Sequence, residues 1–391
     1  MKKAALAVAS TALSFTLMPA LVSADEAKFP TPLEAEPIPA IETLPKDYPD
    51  SWMIVHDFNF NSMVDGRFNV IDISGEGHGL KGTVPASHFA HMLAPKKAKE
   101  IYVAETYYTR MVRGERNDVI TIYDRDTLAF KDEILLPDGK RAQMIELPNT
   151  FQLTNDEKWA LVFNFTPASS VRIVDIEARK ILNEIDIPGC MLTFPTGSRG
   201  FSTMCSDGGM TAISLGKDGK VEKQESIPAF NDIDNDPLFM FATQGSQLTH
   251  FVSYSGDLQT IDFSGDVPSV KERWSLLDDS TQSWRPGGWQ IISSDEQGQI
   301  YVLMHPDGFE GSHKNGGSEV WVVSPSKRKV LKRIELKNEA WSIGVSAGKE
   351  PMLVAASLAG FMDVYDVKSG SFLRQLEQTV AYNPVAMFPA P

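Results

Sequence analysis

Cysteine is scarce in this sequence: the 391 residues contain only Cys190 and Cys205. They form no C-x-x-C pair and have no histidine cluster beside them, which speaks against a redox-active or metal-binding role. Basic charge is in deficit, with 37 Lys and Arg against 51 Asp and Glu and a formal net charge of −14. Nucleic acid and anionic membranes need clustered cations, so this balance disfavours both as partners. The chain has no P-loop, no dinucleotide fingerprint, no G-x-S-x-G and no H-E-x-x-H, so most self-contained catalytic machinery is missing. A convincing long helix is missing too, and only one stretch is apolar over more than a few turns.

That stretch is at the amino terminus, where Lys2 and Lys3 precede an apolar run from Ala4 to Leu21 that closes on Val22-Ser23-Ala24. Ser10, Thr11, Ser14, Thr16 and Pro19 interrupt it, and Asp25 and Glu26 follow in place of a basic stop-transfer cluster. This is the layout of a signal peptide over residues 1–24, cleaved after Ala24, and it predicts a soluble periplasmic protein with no membrane insertion. Loss of Lys2 and Lys3, the signal's only charged residues, takes the formal charge from −14 to −16. Residues 25–50 carry Pro30, Pro32, Pro37, Pro39, Pro45 and Pro49 among acidic residues and read as an extended arm, either disordered or docked on a partner. For an exported chain the two cysteines read as a structural disulfide, with turn residues around Pro195-Thr196-Gly197-Ser198 between them.

From residue 51 to 391 the chain repeats itself. Short β-runs that end in Asp or Ser recur at Phe68-Asn69-Val70-Ile71-Asp72, Ile120-Thr121-Ile122-Tyr123-Asp124, Val171-Arg172-Ile173-Val174-Asp175 and Met210-Thr211-Ala212-Ile213-Ser214. Three more follow, at Leu258-Gln259-Thr260-Ile261-Asp262, Val320-Trp321-Val322-Val323-Ser324 and Met362-Asp363-Val364-Tyr365-Asp366. The intervals between their last residues are 52, 51, 39, 48, 62 and 42, close to the length of a four-stranded blade. A β-rich run precedes each copy, and most continue through a turn into an alternating strand such as Lys131-Asp132-Glu133-Ile134-Leu135-Leu136. Together these predict an all-β, seven-bladed β-propeller of four-stranded antiparallel blades. The tail around residues 380–388 is a candidate to pair with the blade of residues 52–74 and close the ring.

Few residues invite a chemical reading. His88 and His91 lie three apart; on a continuous strand they face opposite sides, so sharing a metal requires a turn, and no metal site is assigned. Pro85, Ala86 and Ser87 read as a tight lead-in from which His88 and Phe89 project. Trp284-Arg285-Pro286-Gly287-Gly288-Trp289 fits either an interface anchor or propeller core. Arg113-Gly114-Glu115-Arg116 and the stretch from His305 to Lys314 occupy the longest inserts, which fit either partner binding or solvated loops. Asp72 and Asp124 read as caps of strand ends and turns.

Several motifs in this order carry a family resemblance: Arg113-Gly114-Glu115-Arg116-Asn117-Asp118-Val119, Ser169-Ser170-Val171-Arg172-Ile173-Val174-Asp175, Cys190 with Cys205-Ser206-Asp207-Gly208-Gly209, Trp284-Arg285-Pro286-Gly287-Gly288-Trp289, and His313-Lys314. From about Gly66 onward the chain resembles the heavy subunit of the tryptophan tryptophylquinone amine dehydrogenases, the group that contains methylamine and aromatic (aralkyl) amine dehydrogenases. His250-Phe251-Val252-Ser253-Tyr254 and Met304-His305-Pro306-Asp307-Gly308 look closer to the aromatic branch, while the Trp-Arg-Pro-Gly-Gly-Trp segment is as similar to the methylamine branch.

The resemblance implies a heterotetramer of two heavy and two light subunits that deaminates primary amines. It implies that the quinone lies in the light subunit, that this chain binds no cofactor and carries no catalytic residue, and that an azurin- or amicyanin-like blue-copper protein accepts the electrons. Family heavy chains place a phenylalanine at the mouth of the light subunit's cleft; that position falls on His88, with Phe89 beside it, so these two are the expected substrate entrance. Arg113, Arg116, Trp284, Arg285 and Trp289 are the candidate subunit interface. Two rival classes are a non-enzymatic binding propeller and a metal-dependent, lactonase-like hydrolase.

Overall fold

The computed structural model describes residues 43–62, 64–75, 79–95, 98–145, 147–244, 246–376 and 382–391. The predicted signal segment and most of the proline-rich arm lie outside them. Within them the chain forms seven antiparallel sheets, the blades of a β-propeller, with no α-helix and three single-turn 3-10 segments. Blade 1 is built from Trp52–Asp57, Asp65–Asp72 and Leu80–Ser87, and blade 2 from His91–Leu93, Glu100–Arg110, Arg113–Asp124 and Phe130–Leu136. Blade 3 spans residues 151–186, blade 4 residues 190–227, blade 5 residues 238–275, blade 6 residues 285–340 and blade 7 residues 342–376.

All seven copies of the repeated run are the third strand of their blade, counted from the axis. The position explains the composition. A third strand is covered by neighbouring blades on both faces, so Val171, Ile173 and Val174 are all buried, and only the last residue reaches the rim. There the carboxylate stops the strand: Asp124 Oδ1 accepts from the Asp126 and Thr127 amides at 3.0 and 2.9 Å, and Asp262 Oδ1 accepts from the Ser264 amide at 3.0 Å. These are Asx turns, as expected for Asp72 and Asp124.

The ring closes as the sequence suggests. Pro384–Pro389 is the innermost strand of blade 1 and pairs antiparallel with Trp52–Asp57, His56 opposite Ala386. Neighbouring blades pack through large side chains; Phe194 of blade 4 stacks on Phe263 of blade 5 with ring centroids 5.3 Å apart. Cys190 and Cys205 are joined in a disulfide, directly opposite each other on the two inner strands of blade 4. The end of the arm is also packed. Leu44 donates its amide to the Asp126 carbonyl (2.7 Å), and buried Tyr48 donates its hydroxyl to the Arg125 carbonyl (2.7 Å).

Candidate functional site

To leave the outermost strand of one blade and start the innermost strand of the next, the chain must cross one rim of the ring. Blade 1 hands over to blade 2 in three residues: Leu80–Ser87 ends, His88 and Phe89 turn, Ala90 is buried, and His91 opens the next strand. Pro85, Ala86 and Ser87, expected as a loop lead-in, instead continue the strand, paired with Arg67, Gly66 and Asp65. An edge strand tolerates proline because the missing N–H faces no partner, which is why the sequence pattern misplaces the turn.

The two expected entrance residues have different surroundings. His88 is only 7% exposed, with ring centroids 4.2 Å from Phe58 and 4.4 Å from Phe89, and both its nitrogens are shielded from solvent. Burial, followed by the nearby His56, lowers its pKa, so the ring is neutral at neutral pH. Phe89 is half-buried and is the side chain of the pair that reaches the surface, beside Phe58 and, through it, Phe60. His91 faces inward, and burial followed by Arg141 and His56 hold its pKa well below the usual range.

Beneath the turn lies a buried polar network, of which only Arg116 and Asp118 fall in a motif quoted from the sequence. The Ser87 amide donates to Glu105 Oε2 (2.6 Å), and Ser87 Oγ accepts the Thr106 amide (3.0 Å). The Arg141 guanidinium donates to the Phe89 carbonyl (2.7 Å) and to Thr106 Oγ1 (2.9 Å), and faces His91 Nδ1 at 3.3 Å. Thr106 in turn donates to Asp118 Oδ1 (2.7 Å), whose carboxylate also holds Arg116 through two bonds of 2.9 and 3.0 Å. Burial lowers the Arg141 pKa to about 10, which leaves it charged at neutral pH, and burial raises that of Glu105.

The other expected residues are spread around the ring. Arg113 is exposed on the long hairpin of blade 2, while Arg116 turns inward to Asp118 and the Arg141 carbonyl. Trp284 lies against Trp321, with the Arg333 guanidinium 4.4 Å from its ring, and Arg285 donates to the Gln282 and Trp284 carbonyls. Trp289 is half-buried, its amide bonded to the Trp341 carbonyl. The rim that carries His88 and Phe89 also bears Met111 (70% exposed), Phe309 (66%) and Phe165 (60%), together with Phe60, Val112 and Tyr382. Large apolar side chains held in water at one end of a molecule are the usual sign of a covered face.

Two hollows lie elsewhere. A cavity of about 1100 Å³ opens on the opposite rim, with His250, Gln290 and Asp295 facing it beside Phe241 and Trp274. A second, of about 420 Å³, shares Gln244 and Ser246 with it, and neither is lined by His88 or Phe89. This is the axial funnel of the ring, and its most buried carboxylate is already occupied: Asp295 accepts from the Tyr301 hydroxyl (2.7 Å) and the Gln299 amide (2.8 Å). Among the described residues no group of three or more His, Cys, Asp or Glu could hold a metal ion.

The sequence profile of the methylamine dehydrogenase heavy chain matches residues 54–387, from the first strand of blade 1 to the strand that closes the ring. The chain belongs to the methylamine dehydrogenase heavy chain family. It is 27% identical over 316 residues to the methylamine dehydrogenase heavy chain of Methylophilus methylotrophus, covering 79% of this chain and 77% of that one. With the methylamine dehydrogenase heavy chain of Paracoccus versutus it shares 29% over 318 residues, covering 78% and 72%. In fold it is similar to a putative 6-phosphogluconolactonase of Bacteroides uniformis, with a TM-score of 0.58 over 87% of this chain and 99% of that one, at 9% identity. For a methylamine dehydrogenase heavy chain family member, that last likeness is one of architecture.

Proposed function

We propose that this chain is the heavy subunit of an exported, periplasmic amine dehydrogenase, assembled as two heavy and two light subunits. The observation that carries the reading is the rim. Phe89, the position beside the family's gatekeeper, stands among exposed apolar side chains on a face that offers little chemistry of its own. Such a face shapes a site whose reactive group comes from a partner. In this reading the quinone of the light subunit, tryptophan tryptophylquinone, would supply the two-electron oxidation by which a primary amine and water become aldehyde and ammonia, and a blue-copper protein would be the electron acceptor. The heavy chain contributes the wall of the entrance: Phe60 and Phe89 offer apolar surface, backed by buried Phe58, and neutral His88 does not repel an incoming ammonium group. Each methylene buried there contributes about 0.8 kcal/mol, which favours amines with a hydrophobic tail over methylamine.

Co-expression with the quinone-bearing light subunit tests this. The expected result is a complex with quinone absorbance that turns over primary amines, aromatic ones fastest, while the heavy chain alone turns over none. Turnover by the single chain, or failure of the two subunits to associate, overturns the reading.

A further inference from the structure

We infer that Arg141 is a positioning residue for the entrance: it fixes where Phe89 stands and so helps set which amines pass. The inference rests on the entrance reading above and adds a residue from another part of the chain, 52 positions from Phe89.

The turn at residues 88–89 is short, and its side-chain contacts on the surface side are other aromatic rings, which can slide. Its backbone is held from beneath, on both sides. Upstream, the Ser87 amide is bound by Glu105, a carboxylate with no exposure to solvent that also accepts the Thr121 hydroxyl. Downstream, the Phe89 carbonyl is bound by Arg141, which is 3% exposed.

Arg141 itself has little freedom. Its Nε and one terminal nitrogen both donate to Thr106 Oγ1 (3.1 and 2.9 Å), its other terminal nitrogen donates to the Ala142 carbonyl (3.2 Å), and its own amide is bonded to Asp118 (3.0 Å). A planar guanidinium held at several donors transmits position where an ammonium on a flexible stem does not. The network therefore ties the entrance to the second and third strands of blade 2 and to the connection between blades 2 and 3, which Arg141 bridges to Asn164 of blade 3. A site that discriminates by the fit of one aromatic wall needs that wall fixed to within a fraction of an ångström.

The experiment uses the assembled heavy and light subunits carrying Arg141→Lys, Thr106→Val, Phe89→Ala and the double variant Phe89→Ala/Arg141→Lys. Each is assayed for kcat and KM with methylamine and with 2-phenylethylamine. Arg141→Lys keeps the buried charge, and Thr106→Val removes only the hydroxyl that orients the guanidinium, so the second carries the test if the first does not assemble. With assembly and quinone absorbance unchanged, both should shift the ratio of kcat/KM between the two amines, Arg141→Lys by about tenfold and mainly through KM. In the Phe89→Ala background Arg141→Lys should add nothing. If Phe89→Ala changes the ratio while Arg141→Lys and Thr106→Val do not, the entrance stands and the positioning role falls. If Phe89→Ala leaves the ratio unchanged, the entrance reading fails and this inference with it. Additive effects in the double variant also overturn it, because Arg141 then acts by a route other than Phe89.

Discussion

His250 sits in blade 5 with its Nδ1 2.8 Å from the Thr260 hydroxyl, and burial alone lowers its pKa to about 4. In the folded chain the ring is neutral down to that pH, whereas in the unfolded chain it takes up a proton below about 6.5. Between these values the unfolded state binds more protons, so stability falls as pH drops from 6.5 towards 4. The loss from this one residue is on the order of 3 kcal/mol across the window. His88, His91 and His313 are shifted in the same direction and add to it. Urea midpoints at pH 7, 5.5 and 4.5 should decline, and His250→Gln should flatten the decline. A parent protein with the same midpoint at all three values contradicts the assignment. At this scale the sequence is least informative: Arg141 stands in Lys140-Arg141-Ala142-Gln143 with no pattern around it, and its partners come from three separate stretches of chain.

Blade 6 shows what a whole element demands of its residues. In Trp284-Arg285-Pro286-Gly287-Gly288-Trp289 the two glycines let the chain pass beneath its neighbours. A Cβ on Gly287 would come within 2.6 Å of the Asn315 carbonyl oxygen. One on Gly288, where φ is +121°, would come within 2.6 Å of that of Trp341. Gly288→Ala should therefore cost at least about 2 kcal/mol, read as a fall in Tm, by combining an unfavourable backbone conformation with a clash. Gly298→Ala is the control: φ is also positive (+78°) but nothing lies within 4 Å, so the loss should be about 1 kcal/mol. Equal losses at both sites would mean that the close approach does not matter.

The third strands were legible because burial on both faces and a terminal Asx turn leave a strong local signature. Apart from the closing strand, several innermost strands were not. His91–Leu93, Phe151–Leu153 and Ile292–Ser294 are three residues long, too short for a period to show. In blade 5 the innermost place is taken by irregular residues 238–243, bonded to Val252 and His250 through Phe239 and Thr243.

For the whole molecule, closure is the decisive contact. Met387 is fixed at both its amide and its carbonyl by the Gln290 side chain (2.6 and 2.9 Å), and Val385, Ala386 and Met387 are buried. Removing residues 384–391 should leave Trp52–Asp57 as a bare edge and give a protein that aggregates. Size-exclusion chromatography of that truncation reads the outcome, and a monomer with the parent's thermal transition would show that closure is dispensable. The blade count and closing strand could be read in advance because they rest on spacing; the face that bears the apolar side chains could not, since only the alternation of strand directions gathers Phe60, Met111, Phe165 and Phe309 at one end.

Closure has a further consequence. A linear stack of repeats has two end units, each with one bare side, and it frays from them. Here the strand that joins the two ends of the propeller leaves every blade with two neighbours, so no blade is first to open. Protection against hydrogen exchange should accordingly be shared evenly around the circle, and the chain should be lost to unfolding as a unit and not blade by blade.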